Sequence, residues 1–204
     1  MIRKRRMVRA FTTEPLAPGV TERMLAAANR APSAGFSQGY ALLVLDQPAQ
    51  LAPFWELALA PDDDEGEDSK DGAAGPSFEH LVNAPLVIVP LSCKDIYLDR
   101  YARQDKGWTD RDESRWPVPY WDIDTGFMAL LMLLAAVDEG LGALFFGILP
   151  AQIPRFRELF GVPGAYLPIG AVAIGHPDQA ADQGGSSRVI SRRRLDDLVH
   201  RGRW

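Results

Sequence analysis

The sequence predicts an α+β fold, and three observations carry that expectation. Helix-period and strand-length apolar segments follow one another irregularly, with no regular βαβ repeat. One apolar run, Gly126 to Val137, is bounded by Asp124 and Asp138 and falls short of the roughly 20 residues that cross a bilayer, so it reads as a buried helix. The 204 residues are 47% hydrophobic and 24% charged. That ordinary usage excludes a disordered, collagen-like or coiled-coil chain and makes one domain, 1–204, the default.

The elements follow in order. After a basic start and a turn over Glu14 to Gly19, Val20 to Arg30 places Val20, Met24, Leu25 and Ala28 at helical spacing. Pro32 ends that helix, and the small, polar loop Pro32 to Gly39 feeds a strand, Tyr40 to Asp46. A second helix is expected over Gln50 to Ala60. Asp62 to Asp71 then holds seven acids and one base, a charge of -6 within a chain total of -5, so the remainder sums to about +1. Such a block reads as a solvated, mobile acidic loop over 62–75, and it lacks the spacing and terminal Glu of a calcium loop.

Leu86 to Cys93 reads as a buried strand. The polar, aromatic stretch Asp99 to Tyr120 contains Trp108 and Trp116, adjoins Trp121, and is long enough to be a lid or a segment covered by a partner. A helix over Asp122 to Glu139, capped by Gly140 or Gly142, leads to a strand over Ala143 to Leu149. A short helix over Gln152 to Phe160, a long strand over Leu167 to Gly175 and a C-terminal extension over 192–204 complete the chain.

Several chemistries are excluded on residue grounds. A net charge of -5 gives no general case for nucleic acid or an anionic membrane. The lone Cys93 allows no internal disulfide and reads as an inert core thiol in a reducing, cytoplasmic setting. His80, His176 and His200 are scattered and show no metal-ligand spacing. The basic start, Met1 to Arg9, is not followed by an apolar core and so is not a secretion signal. Gly140-Leu141-Gly142 with Gly147 runs helix then strand, the reverse of the order in which a helix N-terminus cradles a dinucleotide phosphate. Neither GxxxxGK[ST] nor GxSxG occurs.

What remains is basic and amide-bearing: Arg5, Arg6 and Arg9 at one end, Ser33 to Gln38 in the first loop, and Arg192 to Arg194 near the other end. A guanidinium fork suits a phosphate dianion, so the two arginine clusters either meet at one anion site or are solvated terminal charges. Spacing leaves both open.

Taken in order, these segments resemble the flavin-dependent nitroreductase family, which typically shows RRSxRxF, APSxxNxQPW before the first strand, GLG before a later strand, a GhP-like segment and a basic stretch before PLEEVVH. The counterparts here are Arg5 to Phe11, Ala31 to Tyr40, Gly140 to Gly142, Gly175-His176-Pro177 and Arg192 to His200. The resemblance covers nearly the whole chain. It implies a central mixed or antiparallel sheet flanked by helices, and an intertwined homodimer with FMN at the subunit interface. Trp108, Trp116, Trp121 and Arg201 to Trp204 are the features expected to bury against the partner.

By the same resemblance, Arg5 and Arg192, Arg193 and Arg194 hold the FMN phosphate, Arg6 lies nearby, and Arg9 faces the pyrimidine. Ser33 and Gln38 bind the ribityl chain or pyrimidine edge, and Phe146 and Gly147 bring backbone close to flavin N5. Two positions depart from the pattern. Met7 stands at the usual Ser, and Phe36-Ser37-Gln38-Gly39-Tyr40 replaces Asn-x-Gln-Pro-Trp. Phe36 is similar to the flavin-consuming dimethylbenzimidazole synthase branch.

The implied activity is ping-pong hydride transfer from a reduced nicotinamide such as NADPH, or a deazaflavin, to a nitroaromatic, quinone or other electron-poor acceptor. The chemistry lies on the flavin, so no acid or base residue and no metal is expected. Oxygen-dependent flavin consumption and a non-catalytic flavin- or deazaflavin-binding module are the alternatives. Nucleic-acid binding by the basic ends is the weakest.

Overall fold

The structure, a computed structural model, describes residues 2–60 and 79–204. The acidic loop expected over 62–75 lies outside the described residues. Five helices are described: α1 (Val20–Ala28), α2 (Pro48–Ala58), α3 (Lys94–Ala102), α4 (Tyr120–Asp138) and α5 (Ile153–Phe160). Five strands, β1 (Tyr40–Leu45), β2 (Leu86–Ser92), β3 (Gly142–Phe146), β4 (Leu167–Pro168) and β5 (Ala171–Gly175), form one antiparallel sheet in the order β1-β2-β5-β3, with β4 also on β2.

The continuous apolar run of β2 has a direct structural cause, because all seven of its residues are buried. Successive side chains point to opposite faces. Val87 and Val89 join Phe54, Leu57 and Phe156 on the side of α2 and α5, while Leu86 and Ile88 join Met24, Met128 and Met132 on the side of α1 and α4. The central strand is therefore covered on both faces.

The long final strand expected over Leu167 to Gly175 is instead two short ones, β4 and β5, both paired to β2. Gly170 makes the break. Its φ of +147° belongs to glycine, and a Cβ there would lie 2.6 Å from the Phe146 carbonyl oxygen. Pro90 of β2, which has no N–H to donate, sits where the two pieces part, and its carbonyl accepts from Ile169 N.

The expected buried helix is α4, and it is buried on one side only. Met128, Met132, Leu133 and Ala136 face the core, whereas Ile123, Phe127 and Leu130 are 37%, 41% and 46% exposed. The apolar run alone carried no information about which face would be covered. With 19 residues and a mean hydropathy of 1.4 over its 18-residue window, α4 has the length and composition of a membrane span. It nevertheless packs on α1 and the sheet and carries the buried Asp124, the arrangement of a core helix. Gly140, at φ +73°, closes its C-terminus as the sequence predicts.

Candidate functional site

The N-terminal arginines are carried along the β3 edge of the sheet. Met7 forms a parallel bridge with Ala143, and Val8 N donates to the Ala143 carbonyl at 3.0 Å. Gly142 permits this approach, since a Cβ there would meet the Val8 side chain at 2.9 Å. The Met7 side chain is half-buried against both core clusters, so the position that the family gives to Ser is used here for packing.

On either side of Met7 stand two cations with no carboxylate partner among the described residues. Arg5 is half-buried, and its Nη1 is buried without a hydrogen-bond acceptor. A buried guanidinium donor left open is costly, so such an atom marks a place for an anion. Arg9 is held by its backbone N, which donates to Asp182 Oδ1 at 3.4 Å, and by Nη1, which reaches the Met7 carbonyl at 3.5 Å. Its guanidinium lies against Gly185, where an added Cβ would sit 2.6 Å from the Cζ carbon. Asp182, buried, also accepts from Gly184 N at 3.1 Å, and its carbonyl accepts from Arg188 at 2.9 Å. Segment 182–188 thus forms a wall for Arg9. Arg6 is exposed.

The first loop is a tight turn, Ser33 to Gln38, around a 3-10 segment at Ala34–Phe36. Ser33 Oγ accepts from Gln38 N at 3.0 Å, and Ser37 Oγ donates to the Ala34 carbonyl at 2.6 Å. Two helices pin the turn from below. Asp124 Oδ2 accepts from Ala34 N at 2.7 Å and from the Tyr97 hydroxyl at 2.8 Å, while Arg100 Nε donates to the Gly35 carbonyl at 3.0 Å. Gly35, Phe36 and Gln38 all hold positive φ, at +60°, +53° and +53°. For Phe and Gln that backbone is unfavourable and persists because its surroundings fix it. Gly39 is equally constrained, because a Cβ there would meet the Tyr97 ring at 2.5 Å and the Cys93 carbonyl oxygen at 2.7 Å. The ring of Tyr97 thereby accounts for Gly at the position where the family places Pro.

Burial, reinforced by the hydrogen bond to Asp124, pushes the Tyr97 phenol well above its ordinary value of 10.0. Above about pH 10 the unfolded chain loses this proton while the folded chain keeps it, so stability is expected to fall as pH climbs past 10. Tyr97→Phe should flatten that fall in urea unfolding curves measured from pH 9 to about 11. An unchanged alkaline slope would contradict this assignment.

The polar, aromatic stretch is partly helical, since α3 occupies Lys94–Ala102. Its tryptophans pack on one another and on neighbouring tyrosines, although Trp116 Nε1 is buried without a hydrogen-bond acceptor. Trp116 packs among Tyr101, Trp108, Tyr120, Tyr97 and Trp121 at ring distances of 4.5 to 6.1 Å. These rings form an intramolecular cluster that backs the 33–38 turn, where Tyr101 crowds Gly35. Trp204, by contrast, is 98% exposed.

One chain does not bring the sequence-predicted residues together. Arg5, Arg6, Met7 and Arg9 lie with β3, whose far end carries Phe146 and the open, exposed Gly147. The Phe146 ring turns into the core, stacked on Trp55 at 5.7 Å, so only backbone is presented there. Ser33, Phe36 and Gln38 precede β1 at the opposite edge. By register β1 begins at the end of the sheet where β3 stops, but β2 and β5 intervene, a separation of roughly 14 Å at ordinary strand spacing. Arg192, Arg193 and Arg194 are exposed on the tail, where Arg193 bonds the Asp197 carbonyl and Arg194 pairs with Asp196. Asp124, Asp182 and Gly185 are the site-shaping residues that sequence reading missed. Their partners lie far away in the chain, and Gly184-Gly185 reads as an ordinary linker.

The family model described as "Nitroreductase family" matches residues 2–176. The chain belongs to the nitroreductase family. Among curated relatives, a nitroreductase-like protein of Archaeoglobus fulgidus, provisionally named NADH dehydrogenase/NAD(P)H nitroreductase, is 26% identical over all of this chain and 97% of its own. A Staphylococcus aureus protein named NADPH-dependent oxidoreductase is 23% identical over all of this chain and 72% of its own. A solved nitroreductase family protein from Streptococcus pneumoniae matches with a TM-score of 0.72 at 18% identity, covering 98% of each chain. An FMN-dependent nitroreductase from Clostridium difficile matches with a TM-score of 0.66 at 20% identity, covering 100% of both. The α+β expectation and the antiparallel form of the sheet agree with this nitroreductase fold.

Proposed function

We propose that the protein is an FMN-dependent oxidoreductase that passes hydride from a reduced nicotinamide to an electron-poor acceptor such as a quinone or nitroaromatic. The observation that carries this reading is the pair of uncompensated arginines, Arg5 with a buried open Nη1 and Arg9 against Gly185, on the β3 edge of a nitroreductase-family chain. A phosphate monoester satisfies a donor such as Arg5 Nη1, and the electron-rich edge of a flavin suits a fixed cation such as Arg9. The names of relatives, an NADPH-dependent oxidoreductase and an FMN-dependent nitroreductase, support the same cofactor and donor.

Flavin, when bound, supplies the redox chemistry. The chain's own residues place and tune it. With FMN bound, Arg5 would neutralise the phosphate, with Arg6 nearby, and Arg9 would hold a fixed positive charge at the pyrimidine edge, which favours the reduced cofactor. Gly147 leaves room for close backbone approach, and Gln38 presents its amide from a turn that is already shaped. A homodimer completes the site by bringing the turn of one chain to the β3 edge of the other. The separation of these groups within one chain supports it, as do the exposed apolar residues of α4 and the tail residues Val189, Ile190 and Leu195, 85%, 67% and 74% exposed. Arg192 to Arg194 reach the phosphate in that assembly. The single, buried Cys93 suits a reducing, cytoplasmic setting.

Anaerobic addition of NADH or NADPH to the FMN-loaded protein is expected to bleach the flavin, and a quinone to restore it, with parallel double-reciprocal plots. Light scattering should give twice the 22.5 kDa chain mass. Bleaching without turnover by any acceptor would instead indicate a binding module. Phe36, in place of the family's Asn, favours a second reading, for which destruction of the bound flavin in air is the mark.

A further inference from the structure

We propose that α2 is a splint for the backbone just past β3, and that Trp55 and Gln152 are positioning residues for hydride transfer. The β3 ladder ends where Phe146 pairs with Ala171. Beyond it, neither Gly147 nor Ile148 makes a backbone hydrogen bond among the described residues, so side chains must hold this stretch in place. At its start, the Phe146 ring lies nearly flat on Trp55, at 5.7 Å and 13°, and meets Phe54 edge-on at 6.2 Å. At its end, Gln152 Oε1 accepts from Leu149 N at 3.3 Å while Gln152 Nε2 donates to the Ala60 carbonyl at 3.2 Å. Ile148, between them, packs on the core cluster that contains Phe54, Trp55 and Leu57. Those three residues belong to α2 and Ala60 follows its last turn, so every anchor traces to one helix.

Trp55 carries a second sign of this role. The residue is buried, and its Nε1 has no hydrogen-bond acceptor among the described residues. A buried N–H left open is costly, and phenylalanine at this position would avoid the cost. What the indole adds is a broad, rigid face for the Phe146 ring to lie against. Trp55 is therefore better suited to placing that ring than to stabilising the core.

The role in hydride transfer rests on the oxidoreductase reading, which brings the backbone at Phe146 and Gly147 to flavin N5; the splint itself does not. Transfer rates depend steeply on the placement of the reacting groups, whereas FMN affinity rests mainly on Arg5 and Arg9. Trp55→Phe and Gln152→Leu are to be compared with Phe156→Leu, which removes packing from the same core cluster without altering an anchor residue. In the flavin-free protein, hydrogen–deuterium exchange of the 147–149 amides should quicken about fivefold in the first two variants and stay at the wild-type rate in Phe156→Leu. In the FMN-loaded protein, bleaching by saturating NADPH under anaerobic conditions should slow about tenfold in the same two variants, with FMN affinity within about twofold of wild type. Trp55→Phe should melt close to the wild type, because the loss of packing is offset by removal of the open N–H, while Phe156→Leu should melt lower and bleach at the wild-type rate.

Exchange at 147–149 that is unchanged in Trp55→Phe and Gln152→Leu, or that quickens equally in Phe156→Leu, would overturn the splint. Bleaching at the wild-type rate in both anchor variants would overturn their role in hydride transfer and leave the oxidoreductase reading standing. Quickened exchange in a protein that takes up no FMN would uphold the splint and remove that reading, together with the role in transfer.

Discussion

Asp124→Ala is expected to lower the unfolding free energy by about 3 kcal/mol and to release the 33–38 turn. The Asp124 carboxylate is 3% exposed and accepts from two groups, Ala34 N and the Tyr97 hydroxyl. Hydrogen bonds to a charged group contribute about 1.5–3 kcal/mol each, and deletion leaves the buried Tyr97 hydroxyl and the part-buried Ala34 N without their acceptor. Asp124→Asn keeps one carbonyl oxygen and should retain part of this. Urea unfolding with a constant slope would measure both losses. If Asp124→Ala unfolds at the wild-type midpoint, the turn is not held by this carboxylate, and the positive φ values of Phe36 and Gln38 need another cause.

Gly185→Ala is expected to act on the cofactor and hardly at all on the fold. Gly185 has φ -133°, which any residue adopts, so a methyl group brings no backbone strain. The added Cβ would instead lie 2.6 Å from the Arg9 guanidinium, the far end of a flexible side chain that can move aside. Stability should stay within about 0.5 kcal/mol of wild type, the usual range for a substitution without a buried consequence. FMN affinity should fall about tenfold as the charge-assisted contact of Arg9 is displaced. In an Arg9→Ala background the same change should cost nothing further, because residues that share one contact are not additive. Equal losses in both backgrounds would show that Gly185 acts on something other than Arg9.

The parts of the fold that were legible are those in which a local pattern has one structural outcome. Leu86 to Ser92 reads as a buried strand because a short apolar run covered on both faces needs no tertiary information beyond its own residues. The exposed side of α4 was not legible, since Ile123, Phe127 and Leu130 are as apolar as Met128 and Met132 and only packing separates them. The break at Gly170 was hidden in an apolar stretch, and its cause, the Phe146 carbonyl, belongs to another strand.

The candidate site divides along the same line. Arginine clusters and the Ser33 to Gln38 loop announce themselves by residue type, so the sequence leads to them directly. Asp124 lies 90 residues from Ala34, and Asp182 lies 173 from Arg9, so the bonds that shape both halves of the site exist only once the chain has folded. The distance between those halves across the sheet is a consequence of strand order, which no motif encodes.

The most direct test is a titration of FMN into flavin-free protein, followed by flavin fluorescence and by co-elution on gel filtration, for the wild type and for Arg9→Ala. Stoichiometric, saturable uptake by the wild type, weakened about tenfold or more in Arg9→Ala, is the expected result. A wild-type protein that stays colourless in excess FMN, or an Arg9→Ala variant that binds as tightly as wild type, would contradict the placement of the flavin beside Arg9.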